Sequence, residues 1–178
     1  MKMISTQKKL VSEILDIVHL SGEQMVVNCQ TIKLQKAVDT VLPMIHPLSE
    51  ANEIELVIEI PNNLTCSTDE KMLGRVLSNI FINAVQNTAE HGKVHIWTEN
   101  KVDDILLCVS NTGGRIDEAF IPKLFEPFFR LDQARSSSSG HSGLGLTIVK
   151  RILDKLEIPF ALENTDTGVL FWMHLPKS

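Results

Sequence analysis

In the segment NIFINAVQNT, residues 79–88, asparagines recur at every fourth position: Asn79, Asn83 and Asn87. On a helix that spacing sets three amides in file on one face, beside the apolar stripe of Leu73, Leu77, Ile80 and Ala84. Asparagine competes for backbone hydrogen bonds and is a mediocre helix former, so a plain solvated face is the weaker explanation. An amide oxygen is a neutral, hard ligand that can complete an octahedral Mg²⁺ site whose other ligands are waters and phosphate oxygens. Asn83, the central one, is the candidate metal ligand. Two glycine turns accompany the file. In VSNTGGRI, Gly113 and Gly114 let the chain turn sharply and approach a flat ligand. In GHSGLGLTIVK, Gly143 and Gly145 precede an apolar helix whose first free amides can receive phosphate oxygens. Each turn alone is a weak signal. The sequence has neither GxxxxGK[ST] nor GxGxxG after a strand, so the two commonest nucleotide-binding patterns are excluded.

The elements that must position these residues follow from periodicity. Met3, Leu10 and Ile17, widened by Ile4, Val11, Ile14, Leu15 and Val18, make an amphipathic opening helix that either packs on its own domain or dimerises; Ser21 and Gly22 end it. A short strand is expected at 25–27, then a helix from Leu34 to Ile45 made irregular at its end by Pro43 and Pro47. Residues 53–60 alternate as a strand with one polar face, closed by Pro61, Asn62 and Asn63. Ser67 and Glu70 have capping-box spacing and open the asparagine helix, expected to run to about Thr88. A hairpin of two strands follows, 94–98 and 105–109, about the turn Asp103-Asp104. Beyond Asn111 come a short helical stretch over 118–125, an aromatic cluster, and a run of four serines after Arg135 that should be mobile. Leu144, Ile148, Ile152 and Leu156 mark a last helix, and 160–163 and 169–175 the last strands. The helices and strands make two layers, α on β.

Composition narrows the function further. The 178 residues are 43% hydrophobic and 22% charged, within the range of one globular domain. A net charge of −5 with dispersed lysines and arginines argues against a nucleic-acid partner. Cys29, Cys66 and Cys108 are widely spaced among apolar neighbours and read as reduced core thiols of a cytosolic protein. No apolar run approaches the roughly 18 residues of a membrane span.

Taken in order, NIFINAVQNT, NTGGRI, FEPFFR and GHSGLGL resemble the N box, first glycine box, F box and second glycine box of the GHKL ATPases, and the sensor histidine kinases among them. Their style is similar to kinases of Gram-positive bacteria, the vancomycin-sensing type included. The resemblance covers almost the whole chain, down to TGVLFWMHLP. It implies a two-layer α/β sandwich of the Bergerat type with a mixed sheet, ATP lying between the N-box helix and a mobile lid over about 116–142. KLVSEILDIVHLS is then the end of the second dimerisation-hairpin helix, residues 1–21, and 22–178 the catalytic ATP-binding domain.

Further implications are residue by residue. Asn83 binds Mg²⁺, and Asn79, Gln86 and Asn87 lie near the phosphates. Asn111, Gly113, Ile116, Gly143, Leu144, Gly145 and Leu146 form the pocket. Phe125 and Phe128 anchor the lid, and Arg130 reaches the γ-phosphate. The implied partners are the dimerisation and phosphoacceptor domain and a response-regulator receiver domain. The implied parent is a membrane-bound homodimer with this domain in the cytoplasm.

The chain departs from the family at three places. Asn111 stands where an aspartate usually accepts from adenine's amino group; its amide also donates, so a flipped amide meeting guanine's carbonyl would weaken discrimination. Gln86 takes the place of a frequent lysine, and Arg115 that of a common glycine. No histidine fits the phosphoacceptor role: His19, His91, His95 and His141 sit at helix end, turn, strand and lid. His46 and His174 lack an acidic residue beside them in the sequence. The resemblance implies that the acceptor lies on the first hairpin helix, ahead of this chain. A nucleotide-dependent switch without phosphotransfer is the alternative reading.

Overall fold

The computed structural model describes residues 11, 15, 26–131 and 142–178. The opening helix, apart from Val11 and Leu15, and the serine run and His141 lie outside them. The first strand among the described residues, β1, is Cys29–Lys33; of the strand expected at 25–27, residue 25 lies outside them and 26–27 are not strand. It pairs antiparallel with β3, Thr65–Asp69, as a two-stranded sheet of its own. Between them run α1, Leu34–Ala51, and β2, Glu55–Glu59. The chain then forms α2 (Glu70–Gln86), β4 (Lys93–Asn100), β5 (Asp104–Thr112), two 3₁₀ turns (Glu118–Phe120 and Pro122–Phe125), α3 (Gly145–Lys155), β6 (Phe160–Asn164) and β7 (Gly168–Pro176).

Helix α1 passes both prolines and ends six residues beyond the expected Ile45. Its buried stripe, Leu34, Val38, Val41, Ile45 and Ser49, continues unbroken, so tertiary packing outweighs the two missing N–H donors. Near its end Ser49 Oγ donates to the His46 carbonyl at 2.9 Å and Asn52 Nδ2 to Leu48 at 2.8 Å, satisfying last-turn carbonyls. Helix α2 begins later than the capping-box spacing implied. Its N-cap is Asp69, whose Oδ1 accepts from Met72 N at 3.0 Å while Oδ2 accepts from Asn28 N at 3.0 Å. Ser67 is in β3, paired with Thr31.

The main sheet has the order β2-β4-β5-β7-β6, with β2 parallel to β4 and the other pairs antiparallel, which is the mixed sheet expected. One face is apolar: Val94 and Ile96, Ile105, Leu107 and Val109, Phe171, Met173 and Leu175 alternate inward and join Leu77, Ile80, Phe81, Ile148 and Ile152 of the helices in one core. The other face carries His95 stacked on Trp97 (centroids 4.5 Å apart) and Trp172 edge-on to His174. His174 does have an acidic partner, since Nδ1 lies 3.0 Å from Asp104 Oδ2 across the β5–β7 ladder. Cys66 and Cys108 are buried, but Cys29 is exposed and is not a core thiol. Among the described residues no helix is long and apolar enough to cross a membrane.

Candidate nucleotide site

Strand β5 is central in the sheet, and its C-terminal end delivers Asn111 to the last turn of α2. There a cavity of about 290 Å³ opens between helix, sheet and the 3₁₀ turns. Its floor and walls are apolar: Ile80 and Ala84 of α2, Val109 of β5, Leu162 of β6, and Val169 and Phe171 of β7. Leu124 of the second 3₁₀ turn, Leu131 beyond it and Leu146 of α3 complete the lining. Its polar atoms are concentrated in Asn83, Asn87, Asn111 and the Gly114-Arg115-Ile116 turn, and Arg115 is the one ionisable side chain among the described residues that line it.

The asparagine file is a linked system. Asn87 Nδ2 donates both to the Asn83 carbonyl at 2.7 Å and to Asn83 Oδ1 at 2.9 Å, so both hydrogens of that amide hold Asn83 in place. A carbonyl oxygen has two lone pairs, which leaves Asn83 Oδ1 one for a ligand. Asn79, a turn earlier, donates Nδ2 to the Arg75 carbonyl at 2.9 Å and sets Oδ1 3.1 Å from where a Cβ on Gly145 would stand. The second glycine turn therefore packs on the first amide of the file.

Close approach also explains the glycines around Asn111. A Cβ on Gly168 would lie 2.0 Å from the Asn111 carbonyl oxygen and 2.9 Å from Gly113 N. Gly113 N in turn donates to Thr167 O at 3.0 Å. At the other side of the turn, Ile116 N donates to Asn164 Oδ1 and Asn164 Nδ2 donates to Ile116 O, each at 2.8 Å. One side-chain amide thus imitates a strand partner and pins Ile116 to the end of β6. Gly143, at φ +72°, carries the chain back toward α3, and its carbonyl accepts from Phe128 N at 3.1 Å. Phe125 packs edge-on to Phe160 at 5.5 Å, whereas the Phe128 ring is 62% exposed and its residue is held through the backbone. The N-cap residue of α3, Leu144, offers no side-chain acceptor to the helix's first amides.

Of the expected site residues, Asn83, Asn87, Asn111, Ile116 and Leu146 line the cavity. Asn79, Gly113, Leu144, Gly143 and Gly145 lie outside the lining and shape it, Leu144 fully buried behind it. Gln86 is exposed and Arg130 half-buried, and neither lines the cavity. Sequence reading missed Leu124, Leu131, Val109, Leu162, Val169 and Phe171, and gave Arg115 no role as a wall. The inward phase of the strand alternation was the signal for Val109, Val169 and Phe171.

Fold and cavity together define a two-layer α/β domain with a slot suited to a flat, polar-edged, anionic ligand. Comparison with known proteins places it. Residues 68–178 match the family model described as histidine kinase-, DNA gyrase B- and HSP90-like ATPase. The chain is 44% identical over 177 residues to the sensor protein VanSB of Enterococcus faecalis, covering 99% of this chain and 40% of that protein. It is 33% identical over 156 residues to the sensor protein VanS of Enterococcus faecium, covering 84% and 40%. The nucleotide-free catalytic domain of the histidine kinase ThkA superposes with a TM-score of 0.74 at 26% identity, covering 84% of this chain and 96% of that one. ThkA in complex with the response regulator protein TrrA gives 0.79 at 26% identity, covering 99% and 49%. The chain belongs to the histidine kinase-, DNA gyrase B- and HSP90-like ATPase family, as the catalytic ATPase domain found in sensor histidine kinases. It spans about two fifths of the length of these curated relatives.

Proposed function

We propose that this domain binds MgATP in the α2–β5 cavity and presents the γ-phosphoryl group to a histidine on a separate dimerisation helix, within a two-component sensor kinase. The observation that carries this reading is the Asn83–Asn87 pair: an amide oxygen held rigid at the cavity's edge by a neighbour that spends both donors on it. The donor set suits Mg²⁺. Among the described residues no cluster of three His, Cys, Asp or Glu exists, so the ion would rest on Asn83 Oδ1, water and phosphate oxygens, which is how Mg²⁺ is commonly held. When bound, it neutralises charge on the phosphates.

The remaining roles fall to the chain's own residues. The apolar walls take the base and Asn111 meets its edge. The first amides of α3, which have no side-chain cap, are assigned to the phosphate tail, with Asn79 bracing the Gly145 turn. Arg130, following Phe129 in the lid, is the cation proposed for the γ-phosphate, with Gln86 at the exposed margin. Alignment and electrostatics, with no covalent enzyme intermediate, would supply the catalysis. Residues 1–21 are assigned as the end of the second dimerisation-hairpin helix, 22–178 as the catalytic unit and 116–142 as the lid. The whole kinase would be a membrane-bound homodimer with this domain in the cytoplasm. Its partners would be its own phosphoacceptor helix and a response-regulator receiver domain.

The test is calorimetric binding of a non-hydrolysable ATP analogue with and without Mg²⁺. Wild type should bind more tightly with the ion, and Asn83→Ala should lose that dependence. Binding by the folded wild type that ignores Mg²⁺ would overturn the assignment of Asn83. A dimerisation hairpin supplied in trans should become phosphorylated; a folded, nucleotide-bound chain that transfers nothing would leave the switch as the better account.

A further inference from the structure

Arg115 is the one ionisable side chain among the described residues that line the cavity, and the polar side chains beside it, Asn83, Asn87 and Asn111, are neutral amides. It is also unspent. Arg75, Arg130 and Arg151 each engage another group of the protein, whereas the exposed Arg115 guanidinium has no hydrogen bond, ion pair or ring contact among the described residues. A guanidinium offers five donors in a planar fork that matches the oxygens of a phosphate, so this one is equipped for an anion that the fold itself does not supply.

The backbone beneath it is firm. Ile116, the next residue, is tied to Asn164 by two hydrogen bonds of 2.8 Å, and a Cβ on Gly113 would stand 3.1 Å from the Asn87 carbonyl oxygen. Arg115 is not at positive φ, so an arginine sits in this glycine-rich turn without strain. The same two anchors place it along the slot. Gly113 lies beside Asn87, the C-cap of α2, and Arg115, two residues on, is within about 8 Å of it. Asn83 stands one turn back along α2 and Asn79 two, roughly 6 and 12 Å from Asn87 by helical rise. The start of α3 packs at Asn79, through Gly145, and so marks the far end. A phosphate chain running from the base toward Asn79 and α3 passes Arg115 first and carries its last phosphate beyond it.

We infer that Arg115 is a further nucleotide-binding residue, whose guanidinium holds the α- and β-phosphates common to ATP and ADP and therefore binds substrate and product alike. This rests on the nucleotide reading above and adds to it a cation where the rest of the described lining offers amides. A contact made equally with substrate and product adds affinity without discrimination, which is left to groups nearer the γ-phosphate.

Calorimetric titration of the whole chain with ADP and with a non-hydrolysable ATP analogue, at low and at high salt, tests it. Arg115 is exposed and has no partner to strand, so substitutions there leave the fold intact. Arg115→Gln should weaken both ligands by the same factor, about two- to fivefold at low salt and less at high salt. Arg115→Glu, which reverses the charge, should weaken both about tenfold or more, and Arg115→Lys should stay within about twofold of wild type. A loss confined to the ATP analogue would put the guanidinium at the γ-phosphate and overturn the inference. So would a loss of equal size at both salt concentrations, or an Arg115→Glu protein that binds both ligands like wild type. Failure of folded wild type to bind either ligand would instead overturn the nucleotide reading itself, and this inference with it.

Discussion

Replacing Gly168 by alanine should strike the domain at the joint between its sheet and its site. The new Cβ would stand 2.0 Å from the Asn111 carbonyl oxygen, 2.9 Å from Gly113 N and 3.0 Å from the Asn111 carbonyl carbon. Ordinary carbon–oxygen contact is above 3 Å, so the backbones must part by more than about 1 Å, and all three atoms belong to main chain that no rotamer change can move. They lie where β5 and β7 pair, Thr112 opposite Gly168 and Asn111 opposite Val169, so the separation also stretches the last rungs of a central ladder. Forced overpacking of this kind costs about 3 kcal/mol. For a chain of this length that lowers the thermal midpoint by roughly 6–12 °C. Calorimetry or near-ultraviolet circular dichroism would read the shift, and nucleotide affinity should fall with it because Asn111 is displaced. Gly74→Ala is the matched control: nothing lies within 4 Å of its Cβ position, it is inside α2, and alanine there should stabilise by about 0.5–1 kcal/mol. A Gly168→Ala midpoint within about 2 °C of wild type would refute the reasoning, since a contact of 2.0 Å leaves no small adjustment available.

Asn87→Ala removes the donors that hold Asn83 and should weaken Mg²⁺ binding to the nucleotide complex about 10–100-fold, read as the metal concentration needed for half-maximal binding. Arg115→Ala should lower nucleotide affinity only about two- to fivefold at low salt, the loss shrinking as salt rises, because its guanidinium is exposed; a salt-independent loss would point to packing instead. Thiol titration of the native protein should find one fast cysteine, Cys29, and two that react only on unfolding. Burial pushes the Cys66 and Cys108 thiols from 9.0 to about 11. The folded state therefore holds those protons more tightly than the unfolded chain, and stability should be undiminished below pH 9 and decline as pH rises from 9 toward 11, as chemical denaturation across that range would show.

Where pattern and packing coincide, the sequence reads through to the structure. The period-2 runs at 94–98, 105–109 and 169–175 and the 3.6-period runs of α2 and α3 are strands and helices because each has one apolar face and one core to meet. Legibility fails where pairing, and not burial, makes the element. β3 is Thr-Cys-Ser-Thr-Asp and β1 Cys-Gln-Thr-Ile-Lys, sequences with little alternation whose strand character comes from each other, about forty residues apart. Thr68 and Asp69, buried there, look in isolation like the polar approach to a helix, so Ser67 was the natural cap and Asp69 is the real one. For α1, two prolines argued for an early end against a stripe whose burial carries it on. In the site, residues that need a particular chemistry were visible by type, the asparagines above all. For the apolar walls, alternation marked Val169 and Phe171 as inward-facing, but that they share one cavity with Ile80 and Leu162 follows from strand order, which local spacing does not encode.

The cavity's construction has a kinetic corollary. Its base is the interior of a five-stranded ladder, where amides exchange with solvent only when the domain unfolds, while its cover rests on two 3₁₀ turns, an edge-on Phe125–Phe160 contact and one Gly143–Phe128 backbone bond. Among the described residues, then, the side of the cavity formed by the 3₁₀ turns is held by contacts that can open without disturbing the ladder. Phe160 joins the two parts, since its ring meets Phe125 of the 3₁₀ turn on one side and Phe171 of the cavity wall on the other, so a substitution there should loosen both together.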